Sequence, residues 1–134
     1  MERDVYSGRL KLSGEDHEET LLAANNYAVS LLKVKRFEEA RSLLRKTMPV
    51  TRRVLGDTHE TTLHLREAYA RVLYEDPGAT LDDLREAVTT LEDVERIARR
   101  VLGAAHPITT IAERDLRTWQ AVLRARETQS SARA

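Results

Sequence analysis

A short box of residues recurs three times along the chain, and the spacing of its copies limits the folds that the chain can adopt. Each copy has a glycine, a histidine three residues later and a threonine six residues later. The copies are Gly14, His17 and Thr20, then Gly56, His59 and Thr62, then Gly103, His106 and Thr109. Successive histidines are 42 and 47 residues apart. Periods of roughly 20 to 50 residues are typical of stacked repeat arrays, and we predict such an array here.

The predicted fold class is all-α. Aromatic residues are 4% of the chain, and β-branched residues do not alternate with polar ones as half-buried strands require. Apolar residues recur instead at helical spacings of three and four, as in Leu21, Ala28 and Leu31. Charged residues make up 33% of the chain, which suits helices with one polar and one apolar face.

Each complete unit is predicted to be a hairpin of two antiparallel helices, because the turns are short. The first turn is Lys35-Arg36; in the second unit Asp76-Pro77-Gly78 breaks the helix, and Thr80 is an expected N-cap. Five extra residues are expected at about 75–84. The predicted boundaries are 1–13 as the remnant of a preceding repeat helix, 14–55 as repeat 1, 56–102 as repeat 2, 103–127 as the first helix of repeat 3 or a capping helix, and 128–134 as a disordered tail.

Bulk properties argue against several function classes. The chain has no cysteine, so disulfides and thiolate metal sites are excluded, which fits an expected cytoplasmic location. Lysine plus arginine equals aspartate plus glutamate at 22 each, so the basic excess of a nucleic-acid binder is missing. No apolar run approaches the roughly 20 residues that span a bilayer. We expect neither a nucleic-acid nor a membrane partner.

The motifs resemble kinesin-light-chain-type tetratricopeptide repeats over about residues 10–126. The resemblance rests on the recurring box, Asn25, Asn26, Ala28, Phe37-Glu38-Glu39-Ala40 and Arg52-Arg53-Val54-Leu55-Gly56. It implies a right-handed solenoid of helix hairpins that acts as a binding scaffold. The second unit departs from the pattern with Glu67 and Ala68. The third departs with Arg114 and Asp115, and with Arg117 where a small residue is expected.

The resemblance also implies a concave groove lined by the first helix of each unit, where an asparagine grips an extended peptide. The implied groove residues are Asn25, Asn26, Val29, Lys33, His64, Glu67, Arg71, Tyr74 and Arg114. For Asn26, groove binding and packing within the array are equally favoured. Each charged position is also compatible with a solvated helix face.

Catalytic and metal interpretations are weak. The repeated histidines should lie roughly 10 Å apart in a stacked array, too far to share one ion, so we expect them to hydrogen-bond backbone in turns. His59 and His64 are five residues apart, whereas a zinc-peptidase helix needs four. No catalytic motif is present, and we predict no enzyme, no cofactor and no metal. Tyr27, Tyr69 and Trp119 are expected to be core residues.

Two functions therefore remain open. The first is a scaffold that binds a peptide or protein segment in the concave groove. The second is self-association, because the open ends of an array expose apolar surface that can stack on a second copy.

Overall fold

The computed structural model describes residues 2–14 and 17–133, and every regular element in these ranges is an α-helix. The six helices are α1 (Glu2–Ser13), α2 (Glu18–Lys33), α3 (Phe37–Leu55), α4 (Glu60–Glu75), α5 (Leu81–Val101) and α6 (Pro107–Arg133). Helices α2 and α3 pack as one hairpin, and α4 and α5 as the next. Helix α1 packs on α2, and α6 packs on α5 and α4. This is the predicted all-α helical repeat fold.

The recurring box builds the start of each unit. Its glycines have positive φ angles of 85°, 89° and 97°, which side-chain-bearing residues rarely adopt. Its threonines are 1% exposed or less and pack inside the array. The hydroxyl of Thr62 donates to the carbonyl of Gly56, which ties the new helix to the turn before it. The three box glycines therefore share a positive φ angle at the points that precede α2, α4 and α6.

One continuous core runs through both complete hairpins. Residues at matching positions of the two units are buried, such as Ala28 with Ala70 and Leu44 with Leu91. Burial of aliphatic side chains contributes about 25 cal/mol per Å² of apolar surface, so the shared core provides most of the stability of the array. Tyr69 and Trp119 belong to this core, as expected, and Tyr27 packs against it half-buried.

The five extra residues of the second unit are divided between a loop and a helix. The loop between α4 and α5 has five residues, 76–80, whereas the loop between α2 and α3 has three, 34–36. Helix α5 also begins three residues before Leu84, the position that matches Phe37. Thr80 caps this added turn, since its side chain accepts the backbone N–H of Asp83 and the Asp83 carboxylate accepts that of Thr80. The N-cap expected at Thr80 is thus present.

Helix α6 departs from the predicted boundaries. It continues to Arg133, whereas a disordered tail was predicted from residue 128. The reason is local: neither glycine nor proline follows Pro107, so nothing in the sequence interrupts the helical hydrogen bonds. The outer surface of α6 is charged, because Arg117 is exposed and Glu113 pairs with Arg99 of α5. A side chain as large as arginine fits at position 117 because no described helix crosses α6 there.

Candidate functional site

The first helices of the three units, α2, α4 and α6, form the candidate groove. Helix α4 contacts both α2 and α6. Residues separated by 42 positions between α2 and α4, or by 47 between α4 and α6, occupy the same register. Asn25, Glu67 and Arg114 are one such set. The same face of each helix therefore presents an amide, a carboxylate and a guanidinium in turn.

A cleft between α4 and α6 brings together four of the predicted groove residues. They are Glu67, Arg71, Tyr74 and Arg114, and the other residues that line this α4–α6 cleft are Glu75, Ile111, Asp115 and Trp119. Residues 67, 71 and 74 meet because spacings of four and three place them on one face of α4. The cleft has charged, apolar and aromatic walls, which is the mixed surface expected from the sequence.

Two stacked aromatic rings form one wall of the α4–α6 cleft. The ring centroids of Tyr74 and Trp119 are 4.5 Å apart, and the ring planes are inclined by 13°. Burial raises the pKa of the Tyr74 hydroxyl, and the carboxylates of Asp115 and Glu75 add to this effect. Trp119 was predicted as a core residue only, and its position in the wall of the cleft was not predicted. The helical spacing of four places Trp119 on the same face of α6 as Asp115, which also lines the cleft.

Glu67 is the most deeply buried charged residue of the α4–α6 cleft, with 8% of its surface exposed. Burial raises the pKa of its carboxyl group; Arg71 and Arg114 oppose this shift, and Asp115 reinforces it. Within residues 2–14 and 17–133, no hydrogen bond or ion pair involves this carboxylate. Glu67 is therefore a desolvated acid without a direct partner.

Both arginines of the α4–α6 cleft already have carboxylate partners. Nε of Arg71 lies 3.3 Å from a carboxylate oxygen of Glu75, one turn further along α4. Nε of Arg114 lies 3.3 Å from a carboxylate oxygen of Asp115, its neighbour in sequence. These contacts are partly exposed, so each contributes little to stability. Neither guanidinium forms an ion pair with Glu67.

A second cleft opens at the C-terminal ends of α2 and α4, beside the distal half of α6. Three predicted groove residues line it, namely Lys33, Arg71 and Tyr74. The predicted groove residues did not include four others that line this cleft, namely Lys35, Phe37, Val122 and Arg126. Pro77 and Ala79 of the loop between α4 and α5 also border this cleft. It depends on how two loops and five helices pack together, and no local pattern shows that.

The remaining four predicted residues line neither cleft. Asn25 is half-buried, and its Oδ1 atom has no hydrogen-bond partner in the described part of the chain. Val29 is also half-buried. Asn26 is exposed and shares its register with Ala68 and Asp115.

His64 lies near the N-terminal end of the groove. Its Nε2 atom is 3.8 Å from a carboxylate oxygen of Glu60. Burial lowers the pKa of this imidazole, although the charge of Glu60 opposes the shift. His64 therefore favours its neutral form and can act there as a hydrogen-bonding group.

Comparison with known protein families finds a match that spans the helices α2, α3 and α4. Residues 19–76, from α2 to the end of α4, match the tetratricopeptide repeat family. The matched segment contains the complete first hairpin and the first helix of the second. No curated protein has significant sequence similarity to the chain. The family match supports a tetratricopeptide repeat over these residues.

The repeated histidines have the turn role that was expected of them. Nδ1 of His17, His59 and His106 accepts the backbone N–H of the residue two positions later, at 3.2, 3.0 and 3.2 Å. Each histidine is therefore an N-cap of the helix that it precedes. Among the residues that the structure describes, no three histidines or carboxylates lie together as metal ligands would. No described helix has the length and hydropathy of a membrane span.

Proposed function

We propose that the chain is an interaction scaffold that binds a peptide or protein segment along α2, α4 and α6. The α4–α6 cleft carries this proposal, because Glu67, Arg71, Tyr74 and Arg114 converge there. A concave surface with an aromatic wall and a few polar groups is typical of binding sites. Tetratricopeptide repeats in general mediate protein–protein interaction, which supports the same conclusion.

The two clefts would bind different parts of one segment. The aromatic wall of the α4–α6 cleft suits a planar side chain, since Tyr74 and Trp119 are already stacked. In the second cleft, Lys33, Lys35 and Arg126 surround an apolar floor that includes Leu32 and Phe37. The ligand in this proposal is an extended segment with charged side chains and at least one apolar anchor.

Selection from a random peptide library tests this function, followed by fluorescence anisotropy with the selected peptides. Arg71→Ala and Tyr74→Ala should each weaken binding at least about tenfold, because truncation of a central arginine or tyrosine costs about 2 kcal/mol or more at interaction sites. Circular dichroism at the binding temperature verifies that each variant is folded.

Arg53→Ala is the matched control, since Arg53 is exposed on α3 and lines neither cleft. Asn26→Ala is a second comparison, because Asn26 is exposed and lines neither cleft. Binding should survive both changes. The proposal fails if no peptide is selected, or if selected peptides bind the Arg71 and Tyr74 variants as tightly as the original chain.

The finer classification is also a proposal. The 42-residue spacing, the box and the Asn25-Asn26 pair support kinesin-light-chain-like repeats. A non-enzymatic role without cofactor, in the cytoplasm, is consistent with this proposal. A turnover assay is unnecessary for the groove hypothesis, since binding alone is its readout.

Self-association is the second candidate function, and the exposed apolar side chains of α1 favour it. Val5 is 54% exposed and Leu12 is 82% exposed. Sedimentation velocity over a hundredfold range of concentration measures this directly. A concentration-dependent mass that Leu12→Lys abolishes supports self-association, whereas a constant monomer mass rules it out.

A further inference from the structure

We propose that the α4–α6 cleft is a subsite for a cationic side chain, lysine or arginine, with the Glu67 carboxylate as its counter-charge. This inference rests on the proposed function, because the cation belongs to the bound segment. It goes further by naming the chemistry that the cleft selects.

The burial of Glu67 is the first argument. A residue that is 8% exposed and whose carboxylate has no direct partner in the described ranges is costly to keep charged. Burial raises the pKa of this group, so the site favours anything that neutralises the charge. A ligand cation that hydrogen-bonds to the carboxylate would remove this cost, and such charge-assisted bonds are among the stronger ones in proteins.

The charge balance of the cleft is the second argument. Its acids are Glu67, Glu75 and Asp115, and its bases are Arg71 and Arg114. The two arginines pair with Glu75 and Asp115. Glu67 is left as one net negative charge at the centre of the cleft. An anionic ligand group would meet this charge and would have to displace an existing ion pair.

The walls of the cleft fit the stem and the head of such a side chain. Tyr74 and Trp119 provide an aromatic surface next to Glu67, and aromatic rings attract guanidinium and ammonium groups. Ile111 lies in the same cleft and can contact the methylene groups of lysine or arginine. A carboxylate beside aromatic rings is a combination suited to cations.

The residues at equivalent positions of the three units assign the cation subsite to the second unit. The position of Glu67 is occupied by Asn25 in α2 and by Arg114 in α6. An amide does not attract a cation as strongly, and a guanidinium repels it. The selectivity for a cationic side chain is therefore assigned to the junction of α4 with α6.

The test uses three short capped peptides as probes: Ac-Ala-Ala-Arg-Ala-Ala-NH₂ and the same peptide with leucine or glutamate at the centre. Trp119 is the single tryptophan of the chain and lines the cleft, so its fluorescence and its indole N–H resonance report occupancy. The arginine peptide should produce a saturable change in both signals. The leucine and glutamate peptides should bind at least tenfold more weakly.

Glu67→Gln is the decisive variant, since it keeps the size of the side chain and removes its charge. This variant should bind the arginine peptide at least tenfold more weakly than the original chain does. Glu38→Gln is the matched control, because it removes one charge from an exposed position of α3 outside the cleft, and it should bind as the original chain does.

The proposal is overturned if the three peptides bind equally, if none of them perturbs Trp119, or if Glu67→Gln binds the arginine peptide unchanged. The last result would assign Glu67 as a neutral hydrogen-bonding group. These failures are separate from a failure of the groove function. Library-selected peptides that need Tyr74 but tolerate Glu67→Gln would leave the scaffold proposal intact and remove the cation subsite.

Discussion

Nε2 of His106 lies 3.4 Å from a carboxylate oxygen of Glu60, the first residue of the preceding first helix. Nδ1 of the same ring accepts the backbone N–H of Ile108. One imidazole therefore caps its own helix and contacts the start of the helix one unit earlier. His59 repeats this arrangement, since its Nε2 lies 3.6 Å from Glu18 while Nδ1 caps α4. The box histidines thus link the N-terminal ends of successive units.

His59→Ala should lower the free energy of unfolding by about 1 kcal/mol, the usual cost of removing an N-cap. His59→Asn should recover most of this loss, because an asparagine oxygen can accept the same backbone N–H. Urea denaturation followed by circular dichroism measures both values. Equal losses in the two variants would show that the cap is not the main role of this histidine.

Gly56→Ala should destabilise the array by about 1 to 3 kcal/mol. Gly56 has φ 89° and ψ 165°, a conformation that costs residues with a Cβ atom this much. No neighbouring atom lies within 4 Å of an added Cβ, so strain alone is expected. Gly8→Ala is the control with the opposite sign, since Gly8 lies inside α1 and alanine favours a helix by about 1 kcal/mol. An unchanged melting temperature for Gly56→Ala would refute the strain.

Arg66→Met should destabilise the second hairpin, because it leaves the carboxylate of Asp93 without its more buried cationic partner. Arg66 of α4 is 8% exposed, and its guanidinium lies 2.8 Å from Asp93 of α5. We expect a loss of about 1.5 to 3 kcal/mol, as for hydrogen bonds to charged groups. Arg96→Met is the control, since Arg96 also pairs with Asp93 but is largely exposed. A larger loss for Arg96→Met would contradict this ranking.

The pH dependence of the same pair follows from the pKa of Asp93. Burial acts to raise this pKa, but hydrogen bonds and charge from Arg66 and Arg96 outweigh it, so the net shift is downward. A lowered folded-state pKa stabilises the protein above the unfolded value of 3.8 and loses that stabilisation as the pH falls through the folded value. The difference in the free energy of unfolding between Asp93→Asn and the original chain should therefore narrow below about pH 4, as measured by urea denaturation.

Glu67→Gln should stabilise the free protein at pH 7, the reverse of Asp93→Asn. The folded-state pKa of Glu67 is raised, chiefly by burial, with Arg71, Arg114 and Asp115 as the charged groups that face it. Its destabilising effect is full above the folded pKa and disappears below the unfolded value of 4.5. The melting temperatures of Glu67→Gln and of the original chain should differ at pH 7 and converge near pH 4. A constant difference across this range would show that the charge of Glu67 is not responsible.

The local structure of this chain could be predicted from its sequence to a large degree. The box at Gly56 and His59 specifies a turn and an N-cap through the φ angle of glycine and the acceptor of imidazole, which are properties of neighbouring residues. The apolar spacing in α2 and α4 specified helices for the same local reason. The exception lies at residues 128–133, where a disordered tail was predicted although neither glycine nor proline interrupts the helix there.

The candidate site was only partly predictable. Glu67, Arg71 and Tyr74 could be placed on one face of α4 by helical spacing. Asn26 of α2 could not be separated from its neighbour Asn25, because adjacent residues of a helix differ by about 100° in direction and tertiary packing decides what covers each side. Lys35, Phe37 and Arg126 were missed since they approach the groove from a loop, from the first residue of α3 and from the distal part of α6.

By itself, then, the sequence determined the class of fold, the repeat and the residues that start each helix, because these depend on interactions within a few positions of the chain. The tertiary structure decided that Trp119 stacks on Tyr74, that Glu67 lacks a direct partner in the described chain, and that His106 reaches back to Glu60. These outcomes depend on burial and on distances between residues far apart in sequence, and packing of the units against one another sets both.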